Sequence, residues 1–265
     1  MRCFLLGSGS KGNSCIVQTR DALMMIDNGL SGKEAVRRLE EIEIHPEDLN
    51  GIIVSHEHND HVSGVGILAR KYHLPVYVNH GTYQASKKKL NNTEVRFFES
   101  GDRIEYNDLK IQTFSLPHDA ADPVGFTLSE HSTNGHSTIR TLGYVTDLGQ
   151  VTTLVKQQLK HVDGLIIEAN HDEKMLLNGP YPWRTKQRIR SRYGHISNDA
   201  SAQLIEAVVK STGIRSVMLA HLSQNNNDPA LARDTIAEHI ERTCNQPVTV
   251  QTASQFHPTE EIIVE

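Results

Sequence analysis

Within the six residues His56-Glu57-His58-Asn59-Asp60-His61 the chain sets three imidazoles beside the carboxylate of Asp60. Neutral imidazole is a favoured ligand of zinc and similar ions, and carboxylate extends the range to harder ones. Without a cation, three histidines this close resist being protonated together. A polar turn has no need of them either, because Asn, Asp and Gly serve better. The stretch therefore reads as a metal centre. His56 and His58 stand two apart, so in extended backbone they point the same way. Asp60 and His61 then curl toward a second point.

The elements around this stretch have to position it. Gly51-Ile52-Ile53-Val54-Ser55 is short, β-branched and bounded by polar residues, which predicts a buried strand. Val62 to His73 carries apolar residues at helical spacing, so the ligands sit where a strand hands over to a helix. Later strands end in the same kind of residue: Leu109–Leu116 delivers His118, Ile139–Thr146 delivers Asp147, and Ser216–Ala220 delivers His221. In layered α/β folds, functional groups gather where strands end in loops. Two sets follow. His56, His58 and His118 would hold one ion, and Asp60, His61 and His221 another, with Asp147 bridging. Two ions ~3.5–4 Å apart polarise a phosphoryl or carbonyl oxygen and lower the pKa of a water between them.

Gly7-Ser8-Gly9-Ser10-Lys11-Gly12 matches the dinucleotide pattern G-x-G-x-x-G letter for letter, with Asp27 near the place of the ribose acid. That fingerprint needs a helix after the glycines. Ser14–Thr19 reads as a strand instead, so the adopted reading is a loop joining two strands, and nucleotide binding is the alternative. Further strands are expected at Ala22–Ile26, Pro75–Val78, Val95–Phe98, Ile104–Tyr106, Phe126–Ser129, Leu165–Ile167 and Val248–Thr252. Helices are expected from a Ser31 cap to Glu43, with Glu34 completing a capping box, and over 81–90, 151–160 and 198–210. Another runs from Asp228-Pro229 to Arg242. Asn134-Gly135 signals a turn, with His131 and His136 at its solvated tip. His73, His80 and Lys87-Lys88-Lys89 read as surface residues. Without repeats or linkers, the whole of 1–265 is expected to be one domain.

Composition bounds the function. Net charge is −5 with histidine neutral, so no global basic field advertises nucleic acid and any such contact must be local. Cys3, Cys15 and Cys244 are odd in number and unpatterned, which suggests reduced thiols and a cytoplasmic setting. Met1-Arg2 leads into a five-residue apolar run, too short for a signal peptide, and no run approaches the ~20 apolar residues of a membrane span.

His56, His58, Asp60 and His61 match in full the H-x-H-x-D-H motif of the metallo-β-lactamase superfamily, which the chain resembles over nearly its whole length. The later His118, Asp147 and His221 fall in that family's order, and Asp27 matches its early supporting acid. The resemblance implies an α+β or α/β fold, a four-layer αββα sandwich with the site on the edge between two mixed sheets. It implies two divalent ions, Zn2+ or Mn2+. Thioesterases, lactonases, flavin-linked oxidoreductases, nucleases and phosphodiesterases share the motif, so it leaves the substrate open.

Gly194-His195-Ile196-Ser197 and Val217–Ser223 resemble the C-terminal part of the transfer-RNA 3′-processing nucleases, in which a histidine and a glutamate assist proton transfer. His195 and Glu168 would match these, with Ser197 supporting. The literal His136-Ser137-Thr138 is out of order. No long arm for gripping transfer RNA is evident. The chain also resembles the bacterial YycJ/WalJ family, through residues 7–14, 117–125, 168–172, 178–183 and 194–198. That family implies a 5′-to-3′ exonuclease acting on DNA rather than RNA. The expected reaction is attack of a metal-bridging hydroxide on phosphorus, with Asp60 orienting it. His195 or His171, held by Glu168, would protonate the leaving group. Arg184 to Arg192 carries five basic residues in nine and no acid. It reads as a solvated helix face or as a phosphate clamp formed by Arg184, Lys186, Arg188 and Arg190, with Tyr181 or Trp183 stacking on a terminal base. The alternatives are a ribonuclease, a hydrolase of a small thioester, lactone or cyclic phosphodiester, or a non-catalytic regulator. Oligomeric state is left open, a dimer among the options.

Overall fold

The computed structural model describes residues 1–132 and 140–264. Strands β1 (Arg2–Gly7), β2 (Ser14–Gln18), β3 (Leu23–Ile26), β4 (Gly51–Ile53), β5 (Val76–Asn79) and β6 (Val95–Phe98) lie in chain order in one sheet. A second sheet runs β7 (Arg103–Tyr106), β8 (Leu109–Ser115), β9 (Val124–Glu130), β10 (Arg140–Val145), β11 (Gly164–Glu168), β12 (Ser216–Ala220) and β13 (Thr249–Thr252). The last strand, β14 (Ile262–Ile263), returns to the first sheet and pairs antiparallel with β1. Each sheet is mixed: β1 to β3 are antiparallel and β3 to β6 parallel, while β7 to β10 are antiparallel and β10 to β13 parallel.

Alternation along the strands explains the layers. Cys3, Leu5, Met24 and Ile26 face the second sheet, where they meet Phe126, Tyr144, Ile166 and Met218. Phe4, Leu6, Met25 and Ile52 point the other way, onto Ala35 and Leu39 of α1 (Gly32–Glu41) and Val65 and Leu68 of α3 (Val65–Tyr72). Behind the second sheet, Leu165, Ile167, Val217 and Leu219 pack on Val155 of α5 (Thr153–Gln158), Leu204 and Ile205 of α8 (Asn198–Thr212), and Ile236 and Ile240 of α9 (Pro229–Thr243). Strands covered on both faces need continuous apolar runs, which is how Leu165-Ile166-Ile167 reads. These three cores make the expected αββα sandwich. Among the described residues, no helix is long and apolar enough to cross a membrane, and the three cysteines are unpaired.

Several expectations are corrected. The helix expected after the histidine motif is two, α2 (Asn59–Val62) and α3, broken at Ser63-Gly64 where the Gly64 amide donates to Asn28. The capping box is half made: Ser31 Oγ accepts from the Glu34 amide, but the Glu34 carboxylate turns to Arg37 and Arg38. Two short helices not expected as such, α6 (Glu173–Asn178) and α7 (Trp183–Ile189), follow β11. The helix expected over 81–90 is the shorter α4 (His80–Ser86). Asn134-Gly135 and His136-Ser137-Thr138 lie outside the described residues.

Close packing under the histidine motif fixes its path. A Cβ on Gly29 would stand 1.8 Å from the backbone oxygen of Asp60, and the Gly29 amide donates to Asn13, whose own amide donates to Asp60. Gly29→Ala therefore must push the motif's backbone aside. It is expected to lower stability by about 1–3 kcal/mol and to weaken metal uptake, as measured by urea denaturation and by metal content after dialysis. A variant matching the parent in both would contradict this account.

Candidate metal centre

The two sheets bring their strand ends to one edge, and three of the residues there are held by left-handed backbone. Asp27 after β3, Asp147 after β10 and His221 after β12 have φ of 56°, 58° and 53°. Asp and His tolerate this region better than most residues, yet it remains uncommon. Reversing direction just beyond each strand brings these side chains to the shared sheet edge. His56 and His58 arrive from β4, and His58 is the N-cap of α2, whose first turn carries Asp60 and His61.

The donor atoms converge in the expected two groups. Ligand atoms of His56, His58 and His118 lie within 4.8 Å of one another, as do those of Asp60, His61 and His221. Asp147 joins both: its Oδ2 is 3.0 Å from His61 Nε2, and its Oδ1 is 3.6 Å from His221 Nε2 and 3.7 Å from His118 Nε2. His118 Nε2 faces His58 Nδ1 at 3.3 Å. One buried polar atom in this cluster, His56 Nε2, has no hydrogen-bond partner. Buried polar groups are ordinarily paired, so an orphaned donor atom among these converging ligands fits divalent metal ions.

Outer contacts fix the rings. Asp27 Oδ2 is 2.8 Å from His61 Nδ1, and its carboxylate also accepts from the Ser55 amide and hydroxyl. His118 Nδ1 donates to the Gly194 carbonyl at 3.0 Å. Glu168 Oε1 accepts from His221 Nδ1 at 2.9 Å and from His195 Nδ1 at 2.7 Å. Such partners orient ligand imidazoles and raise their basicity. Burial, with His61 beside it, keeps His56 neutral well below the ordinary histidine range. Burial also opposes charge on His61, but Asp147 and Asp27 outweigh it and raise its pKa well above that range. Glu168 is buried too, yet His195 and His221 hold its carboxyl down at about 2.

The glycine-rich loop takes part, with a residue for which the sequence reading gave no role. Asn13 Nδ2 lies 2.9 Å from His61 Nε2 and 3.3 Å from Asp60 Oδ2, while Asn13 Oδ1 accepts from the Gly9 amide. Ser8 Oγ accepts from the His221 amide at 2.7 Å. The loop is thus a brace for the second donor group. A glycine-rich turn ending in Asn-Ser between two strands was the available signal.

The basic run divides. Arg184, Arg188 and Arg190 are exposed on α7 and its C-cap, and Trp183 stands 58% exposed at the start of that helix. Arg188 Nε pairs with Asp119 Oδ2 at 2.5 Å, and Asp119 Oδ1 is 3.5 Å from His118 Nε2, so this arginine sits on the rim of the cluster. Lys186 departs from expectation: it is buried, and its ammonium donates to the Leu177 carbonyl at 2.7 Å, tying α7 to α6. Tyr181 Oη accepts from Asn225 Nδ2. His171 is not held by Glu168 as expected. It is buried, its Nδ1 has no partner, and its backbone pairs with Ser197, the N-cap of α8.

Burial, against the opposing pull of Glu168, lowers the His171 pKa to about 4. A histidine depressed in the fold contributes stability above its unfolded pKa of roughly 6.5 and loses it as pH falls toward 4. Replacement by Gln is expected to flatten that acid loss by up to about 3 kcal/mol. Parallel melts of parent and His171→Gln from pH 4 to 7 measure the difference, and coincident curves would refute it.

Residues 7–149 match the metallo-β-lactamase superfamily. The exodeoxyribonuclease YycJ of Bacillus anthracis is 36% identical over 260 residues, spanning 97% of this chain and 94% of its own length. The exodeoxyribonuclease WalJ of Streptococcus pneumoniae is 37% identical over 243 residues, spanning 89% and 87%. In fold, the chain is like the short form of human tRNase Z, with a TM-score of 0.66 at 15% identity over 100% of both chains. With its donor cluster at the shared edge of two mixed sheets and relatives this similar along almost its entire length, the chain belongs to the YycJ/WalJ family within the metallo-β-lactamase superfamily of hydrolases.

Proposed function

We propose that the chain, as one domain over residues 1–265, is a 5′-to-3′ DNA exonuclease that needs two divalent ions, zinc or manganese, and works in the cytoplasm. In this reading His56, His58 and His118 would hold one ion and Asp60, His61 and His221 the other, with Asp147 shared between the two sets. The observation that carries it is the ion pair of Arg188 with Asp119, which fastens a basic, acid-free helix to the rim of the donor cluster. A small thioester or lactone gives such a helix no task, whereas a phosphodiester chain does. The YycJ and WalJ relatives, described as exodeoxyribonucleases, support DNA over RNA.

When bound, the ions supply charge for the phosphoryl oxygens and an activated water. The chain's own groups do the rest. Asp60, only partly buried and 3.4 Å from His221 Nε2, would orient the attacking water. Arg188 and Arg190 meet backbone phosphates, Arg184 extends that track, and Trp183 offers a stacking face with Tyr181 beside it. His195 takes the proton-donor role, because Glu168 holds its Nδ1 and leaves Nε2 for the leaving oxygen. His171, lacking that acid, is a positioning group.

Metal-loaded protein is expected to release nucleotides from 5′-phosphorylated duplex DNA, and Asp60→Asn to lower kcat by about 10^3 or more. Absence of release with either ion, or Asp60→Asn running at the parent's rate, would end this proposal. Neutralising Arg188 together with Arg184 is expected to raise KM for DNA several-fold and to flatten its salt dependence. Chelation is expected to lower the melting temperature, since an ion that binds only the folded chain stabilises it by mass action. Calorimetry with and without chelator decides that point.

A further inference from the structure

Where Asp60, His61 and His221 meet, the glycine-rich loop packs against the loop that follows β13. Together the two loops raise a cation and an aromatic ring into solvent. Phe256 is 55% exposed, and Lys11 Nζ stands 5.5 Å from the centre of its ring. The pair is close to the donor cluster. Lys11 is two residues from Asn13, at most ~7 Å along the chain, and Asn13 Nδ2 lies 2.9 Å from His61 Nε2. Ser8, in the same loop, accepts from the His221 amide. A single exposed aromatic ordinarily needs no explanation, but this one stands on an unusually well-tied support. Gln255 is buried between the loops: its Oε1 accepts from the Lys11 amide, and its Nε2 donates to the Gly12 carbonyl. The Gln255 carbonyl in turn accepts from the buried Arg38. Ser254 adds its carbonyl, which accepts from the Ser8 amide, and its hydroxyl, which accepts from the Phe256 amide. Backbone held in this way loses little freedom when a ligand settles on it. Lys11 makes no ion pair among the described residues, although the chain as a whole is acidic.

We infer that Phe256 and Lys11 grip the DNA strand on the other side of the scissile phosphate from Arg188. An unstacked base lies on the Phe256 ring, and a phosphate beside it meets Lys11. The inference rests on the exonuclease reading and deepens it. Helix α7 is fastened at His118 through Asp119, whereas the two loops are fastened at His61 and His221. A strand laid across the cluster from one to the other is thus held on both sides of the bond that breaks. Every base has a π-face, so a bare ring grips all of them alike and suits digestion of any sequence. A base lying on Phe256 has also left its duplex stack. The substrate is therefore a strand already separated from its complement at the cluster, and the two loops keep it so.

Two measurements on the metal-loaded protein test this. In steady-state digestion, Phe256→Ala is expected to raise KM for DNA about ten-fold, the usual size of one lost stacking contact. Phe256→Trp should return KM toward the parent's value. Lys11→Ala should reduce the slope of log affinity against log salt by about one. A Phe256→Ala variant with the parent's KM would overturn the inference while leaving the nuclease standing, whereas no release from any DNA would sink the nuclease reading itself. The second measurement needs no turnover. A fluorescent single-stranded oligonucleotide is bound to Asp60→Asn protein and followed by anisotropy, with an abasic residue placed in turn at each of the first few nucleotides. At one position the abasic residue should weaken binding about ten-fold, yet change nothing once Phe256→Ala is added, because no ring is left for that base to lose. If every abasic position weakened both proteins alike, the base would lie elsewhere and the inference would fall.

Discussion

Asp147, a carboxylate almost without water around it, is the group on which the arrangement depends. Burying an anion is tolerated only when opposite charge and hydrogen bonds compensate it. Its oxygens face His61, His118 and His221 at 3.0 to 3.7 Å. His221 and His61 beside it overcome the cost of burial and hold its carboxyl well below the usual carboxylate range. The histidines consequently fall into two classes. His56 and His118, for which burial dominates, are held neutral. His61 and His221, each with a second acid behind it, are held charged. Cations arriving at the centre would relieve the second pair of that charge and compensate Asp147 in their place.

Holding so many polar groups together requires a backbone that delivers them from several directions at once. Parallel strands all ending at one edge supply the position, and left-handed residues at Asp27, Asp147 and His221 supply the turn. Each of the three is anchored by what its side chain or amide meets: Ser55 and His61 for Asp27, the histidines for Asp147, Ser8 and Glu168 for His221. The unfavourable backbone region is thereby tied to the polar network, so loosening either one loosens the other.

The core of this architecture was legible because its signals are local. Apolar strand runs, the ligand spacing at His56 to His61, and the Ser31 and Asp228 caps each act within a few residues. The meeting of His118, Asp147 and His221 at one edge came from the strand-end pattern together with the family resemblance. What escaped were contacts made across long sequence separations. Asn13 reaches His61 and Asp60 from a loop that looked like a nucleotide motif. Lys186 is drawn inward by a bare carbonyl at Leu177, which no charge pattern announces. Ile262-Ile263 becomes a strand only because β1 has an open edge beside it. The helices α6 and α7 are too short for periodicity to declare them.

One carboxylate oxygen connects the donor cluster to the histidine proposed as proton donor. Glu168 Oε1 meets His195 Nδ1 and His221 Nδ1 together, and an ionised carboxylate only accepts. Both Nδ1 atoms must then carry hydrogen, which assigns the tautomers on each side. His221 is left with Nε2 toward Asp60 and Asp147, where a metal ligand needs its lone pair. His195 is left with Nε2 as the only ring nitrogen that can hand over a proton. A cation held at His221 Nε2 would leave its Nδ1 hydrogen on Glu168, so the same oxygen would still orient both rings. The orientation of His221 and that of His195 are therefore coupled through a shared oxygen, so a substitution at Glu168 would disturb both rings.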